Sequence, residues 1–157
     1  MANLTVAQFL HCAKYPAMIN LQNHSMLALL GYAAWTLLLL VGIATLRSTL
    51  VVTKKRLANS FLPTGADVSP FAARLSRAHA NCVENLPIFA SLILVAVSTG
   101  HGQLTDKLAL WVLAARVGQS VVHLVSTRNR AVLLRFTLLA VQLGVQAMWV
   151  VQLLQIR

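Results

Sequence analysis

Between Arg77 and Gln146 the sequence sets ionisable and amide side chains into stretches that are otherwise almost wholly apolar, and their spacing is regular. Arg77, Asn81 and Glu84 stand at i, i+4 and i+7, which on an α-helix gathers them within about 60° of arc on one face. Arg116, Gln119, Ser120, His123 and Thr127 repeat such a stripe further along, and Arg135, Gln142 and Gln146 form a third. An ionised side chain at membrane depth costs roughly 2.5–3.5 kcal/mol on insertion scales, so these groups need partners or a watery cavity. Three polar stripes that must avoid lipid imply one polar interior or one subunit interface. Guanidinium groups, an amide and an imidazole with a carboxylate below them suit an anionic, amphipathic ligand.

The composition dictates which elements position these groups. Of 157 residues, 58% are hydrophobic and only 10% charged; the acids are Asp67, Glu84 and Asp106, against 13 Lys and Arg, for a net charge of +10. So few charges cannot cover a water-soluble fold, and disorder requires low hydrophobicity, so both classes are excluded. A basic excess points to nucleic acid only as a patch on a soluble fold, so no nucleic-acid partner is expected. What remains is an integral membrane protein, a single domain over 1–157 with apolar helices at about 25–52, 70–99, 104–125 and 131–156. Four segments cannot close a β-barrel, so the expected fold is all-α, a bundle of four transmembrane helices. Short connections at Gly100–Gly102 and Thr127–Arg130 force antiparallel neighbours.

Positive charge orients the bundle. One side carries Lys54, Lys55, Arg56, Arg74, Arg77, Arg128 and Arg130, and the other Lys14, Lys107 and Arg157. That asymmetry places the two basic loops in the cytoplasm and both termini outside, periplasmic if the membrane is a bacterial inner membrane. In the long first loop Pro63 and Gly65 break the chain. Ser69-Pro70 reads as a cap and a first-turn proline, and Pro87 removes a hydrogen bond inside the second helix, where a kink is expected. Cys12 and Cys82 form no metal-ligand spacing and are not expected to pair, so no metal is implied.

Rise per residue places Glu84 roughly 10 Å past Arg77 and Arg116 roughly 15 Å from the cytoplasmic end of the third helix. Glu84 and Arg116 are therefore expected to meet and neutralise each other, below a mouth formed by Arg77, Asn81, His123 and Arg130. Such a pair can equally be a structural lock between helices. Arg47 is expected to snorkel to the interface, and Gln142 and Gln146 to bond between helices. Ala114/Gly118 and Ala140/Gly144 permit close helix contact, within or between subunits.

The run Arg77-Ala-His-Ala-Asn81-Cys-Val-Glu84-Asn-Leu-Pro87-Ile-Phe89 resembles the signature of the MAPEG family, membrane-associated proteins in eicosanoid and glutathione metabolism. The resemblance covers about residue 25 to the end and is strongest to bacterial-type members similar to microsomal glutathione transferases. It implies a homotrimer that binds glutathione as co-substrate between subunits, near the cytoplasmic side. Carried over by position, Arg77, Asn81, Glu84 and Arg116 match glutathione contacts, with His123 in a supporting place. Arg130 falls where leukotriene synthases carry the arginine credited with activating the thiol. Asn85 stands where the eicosanoid enzymes often have Tyr, and Gln119 and His123 replace tyrosines of the third helix.

The resemblance implies a glutathione-dependent transferase or peroxidase acting on a lipophilic small molecule that arrives through membrane lipids. A non-catalytic module of the same fold, or a binder of another anionic metabolite, is the alternative. A four-helix transporter with Glu84 as its proton site ranks last, because neighbouring arginines would keep that carboxylate ionised.

Overall fold

The structure, a computed structural model, describes residues 23–126 and 128–156; Cys12, Lys14, Thr127 and Arg157, used above, lie outside them. Four helices follow in order: α1 (His24–Val52), α2 (Pro70–Ser98), α3 (Gln103–Val125) and α4 (Asn129–Leu154). Among the described residues there is no strand. Each helix is long and apolar enough to cross a bilayer, and the chain is an integral, multi-pass membrane protein of all-α fold. Helices meet the requirement of lipid because each closes its own backbone hydrogen bonds.

Local chemistry sets the ends. The Asn23 side chain accepts from the N–H groups of Ser25 and Met26 and starts α1. Ser69 Oγ accepts from Ala72 N at 3.0 Å and Pro70 fills the first turn of α2, where its missing N–H costs nothing. The far end of α2 closes as a Schellman motif. Gly100 adopts φ +78°, its N–H bonds Val97 O, and His101 N–H bonds Ala96 O. α3 then starts beside α1, and one carboxylate ties the two: Asp106 Oδ1 accepts from Ser25 N at 3.0 Å and from Ser25 Oγ at 2.6 Å. Asp106 thus sits at the positive ends of two helices at once.

At the basic end the connection between α1 and α2 is folded onto the helices. Arg56 pairs with Asp67 at 2.8 Å, and Gly65 turns the chain at φ +69°. A Cβ there would lie 2.9 Å from Ala72 O, so the turn has room only for glycine. Arg47, near the basic end of α1, donates to Leu62 O at 2.8 Å and stacks its guanidinium 5.6 Å from the Phe61 ring centre.

α1 packs on α2 and α3, α2 packs on α3, and α4 lies chiefly on α3 with a smaller contact to α2. Small residues let the first three helices approach closely: Ala28, Ala78, Cys82 and Ala109 are buried, and Gly31 faces Leu113. An aromatic column crosses the core, with Tyr32 and Phe89 ring centres 5.3 Å apart and Phe89 and Trp149 6.2 Å apart. Cys82 is a buried free thiol beside Ser120 Oγ. Outward faces carry Leu30, Leu37, Leu133 and Phe136, as lipid contact requires.

Asp106→Ala should lower stability by about 1–2 kcal/mol, the usual cost of a lost cap. Thermal unfolding in detergent followed by circular dichroism checks this, with Asp106→Asn, which keeps an acceptor oxygen, falling between. Gly65→Ala should leave the helices intact but speed proteolysis of the 53–69 connection.

Candidate functional site

The polar stripes of α3 and α4 face each other. Gln142 Nε2 donates to Gln119 Oε1 at 3.3 Å and to Leu138 O at 2.9 Å, while Gln119 Nε2 donates to Arg135 O at 3.2 Å. One turn deeper, Gln146 Nε2 donates to Asn85 Oδ1 at 2.9 Å and so carries the seam to α2. Towards the basic end, Arg135 Nη1 donates to His123 Nδ1. Arginine has donors only, so Nδ1 must accept and the ring proton lies on Nε2. Gln142 and Gln146 therefore bond between helices, because an amide buried without a partner costs roughly 1–3 kcal/mol.

Arg116 is almost fully buried, 1% exposed. Its Nη1 donates to Asn81 O at 3.2 Å and its Cζ sits 5.6 Å from the Tyr32 ring centre, while Nε and Nη2 have no partner among the described residues. The expected ion pair with Glu84 does not form: among the described residues the one pair within 4 Å is Arg56–Asp67. Helical phase is the reason. Cys82 and Asn85 carry the buried face of α2, and Glu84, two residues past Cys82, is turned about 200° from it and exposed.

Glu84 and Arg116 nevertheless line one cleft of about 210 Å³, with Asn81, Asn85 and Gln119. A second cleft of about 510 Å³ lies nearer the basic end between α2, the α1–α2 connection and α3, lined by Thr64, Arg74, Ser76, Arg77 and His123. Arg77 and Asn81, one turn apart on α2, join the two. Five of the six candidate residues thus line two neighbouring clefts. Arg130, exposed in the first turn of α4, lines neither.

Three contributors escape the polar stripes. Arg74 donates through Nε to Leu124 O at 2.8 Å, and its place one turn before Arg77 was the signal that could have found it. Asn85 reaches Gln146, and Tyr32, the ring under Arg116, lies on a helix with no stripe of its own.

The stripe of α2 is not covered by the described residues. Arg77 and Glu84 are exposed, and added Cβ atoms at Gly118 and Gly144 would meet nothing within 4 Å. These glycines therefore make no close contact inside the bundle. Gln146→Leu should destabilise by about 1–3 kcal/mol by stranding Asn85, and Asn85→Leu added to it should recover part of the loss. Thermal unfolding of the two single variants and the double variant measures this.

Four apolar helices, an amide seam and clefts lined by Arg77, Asn81, Glu84, Arg116 and His123 are the structural context of the motif on α2. The family model described as the MAPEG family matches residues 25–155. No curated protein and no solved structure matches the chain. The match spans all four helices and both clefts, and with it the chain belongs to the MAPEG family, whose members are typically oligomeric and generally use glutathione as a substrate.

Proposed function

We propose that this protein is a membrane-bound, glutathione-dependent transferase or peroxidase for lipophilic electrophiles, acting as a homotrimer. The observation that carries the reading is the buried Arg116, whose Nε and Nη2 have no acceptor among the described residues, on a cleft shared with Asn81 and Glu84. Glutathione is peptide-like, with two carboxylates, two amides, an ammonium and a thiol, and this donor set fits it. Arg77 and Arg116 hold carboxylates by charge-assisted hydrogen bonds, Asn81 an amide, and Glu84 the ammonium. His123, with its proton on Nε2, donates a further bond.

A free thiol has a pKa of about 8.5 and is mostly protonated at neutral pH. A guanidinium beside the sulfur stabilises the thiolate, and the thiolate attacks an electrophile arriving from the lipid; its new S–C bond forms as the leaving group departs or the double bond takes a proton. Arg130 is assigned this role. Because Arg130 lines neither cleft of its own chain, the sulfur site is completed at the contact with a neighbouring subunit. The exposed Glu84 supports the same assembly, since lipid would not tolerate it uncovered. The basic loops face the cytoplasm of a bacterial inner membrane, with both termini periplasmic.

The position of Arg130 also favours one alternative, a non-catalytic membrane module binding another anionic metabolite. Glutathione binding by calorimetry and thiolate absorbance by stopped flow decide between them. The transferase reading expects a thiolate burst in the parent protein and none in Arg130→Ala, which still binds. Arg77→Ala should weaken binding by about tenfold or more, the loss of a hydrogen bond to a charged group. No burst and no heat of binding would remove the transferase reading. The module then remains, with assembly lost in Arg116→Leu and unaffected in Arg130→Ala.

A further inference from the structure

The charge of Arg116 is met by an aromatic ring rather than by a carboxylate, and the geometry follows from helix register. Ser25 and Asp106 are hydrogen-bonded, so α1 and α3 run side by side from a common level. Tyr32 lies seven residues beyond Ser25 and Arg116 ten beyond Asp106, so their Cα atoms differ by only about 4–5 Å along the axis. Helical side chains lean towards their N-terminus, which brings the Arg116 guanidinium back over Tyr32.

The ring itself has little freedom. Phe89 packs against it at 5.3 Å, and its hydroxyl donates to Cys82 O at 3.4 Å. Arg116 Nη1 bonds the preceding carbonyl, that of Asn81. Tyr32 and Arg116 therefore hold consecutive carbonyls on one turn of α2, the turn that carries Asn81 and Glu84 into the cleft. A carboxylate partner would take guanidinium donors and cancel the charge. A ring face attracts the cation along its normal and leaves the in-plane N–H groups free.

We propose that Tyr32 is a positioning residue for the glutathione site: its ring face holds the Arg116 guanidinium so that Nη1 is tied to Asn81 while Nε and Nη2 are kept as donors for the ligand. The assignment rests on the glutathione reading for the identity of the ligand only. The ring, rather than the hydroxyl, carries the effect.

The test compares Tyr32→Phe, which keeps the ring, with Tyr32→Leu, which removes it. Ile93→Ala, a core truncation one turn beyond Phe89 on α2, serves as the control. Glutathione affinity by calorimetry should stay within about twofold in Tyr32→Phe and fall about tenfold or more in Tyr32→Leu, the scale of a desolvated cation–π contact. Ile93→Ala should lower the unfolding temperature while leaving affinity near that of the parent. A purely structural Tyr32 would instead make affinity follow stability in all three, and parent-like affinity in Tyr32→Leu would overturn the proposal.

A thermal double-mutant cycle between Tyr32→Leu and Arg116→Met reads the contact without any ligand. Its unfolding temperatures should depart from additivity by about 2–4 °C. Should the parent protein bind no glutathione, the functional reading falls and the cycle alone decides Tyr32: coupling supports its hold on Arg116, and additivity overturns it.

Discussion

A guanidinium buried among apolar helices must be compensated, and Arg116 imposes that constraint on the whole bundle. Its position is 1% exposed and it forms no ion pair among the described residues. Removing such a charge from water costs several kcal/mol even after relaxation. The Asn81 carbonyl and the Tyr32 ring return part of that, and two N–H groups stay without a partner among the described residues. A helix–helix lock would use the available donors; this arrangement leaves donors over. The packing around Arg116 follows from the need to hold it. The close α1–α3 approach at Gly31 and Leu113, the register set by Asp106 and the aromatic column behind Tyr32 all fix its surroundings.

Polar groups divide the work along the seam. Gln119, Gln142, Asn85 and Gln146 bond to one another or to backbone and give α4 a defined place on α2 and α3. This matters because α4 has few other constraints: it is not adjacent to α1, and its buried residues are Gln142, Gln146 and Trp149. Lipid is as apolar as leucine, so apolar packing alone would set neither its rotation nor its depth. Amides that must find amides set both. At the clefts Arg116 and Arg74 are each tied to one backbone carbonyl, while Arg77 and Glu84 are exposed.

Much of the fold was legible because lipid leaves few solutions. A chain with three acids and four long apolar stretches can only be a helix bundle, and Ser69-Pro70 and Gly100 mark helix ends through chemistry that acts within a few residues. Spacing also found the polar stripes, since residues at i, i+4 and i+7 share a face in any helix. It failed at the point where two helices must be rotated against each other. Depth alone made Glu84 and Arg116 look like partners, whereas Asn85 rather than Glu84 occupies the buried phase of α2. Tyr32 escaped for a related reason. A ring that compensates charge looks, in sequence, like any apolar residue of a membrane span. The carbonyl partners of Arg47 escaped as well, because the fold-back that offers them is tertiary.

The division between buried and exposed groups also bears on how the site and the proposed assembly depend on each other. Arg116 is fixed within one chain, while Arg77 and Glu84, on the same stretch of α2, are open. In lipid an open Glu84 would have to draw water into the bilayer, at a cost of a few kcal/mol. A neighbouring copy removes that cost, and so does a ligand whose cationic group meets the carboxylate. Both therefore act on the same charge, and any species that binds the assembled state better than the separated one stabilises it by mass action. By reciprocity, association must then raise ligand affinity by the same factor. Under the proposed function such a site works only as part of the assembly, because the charges assigned to the ligand are those the isolated chain cannot shelter.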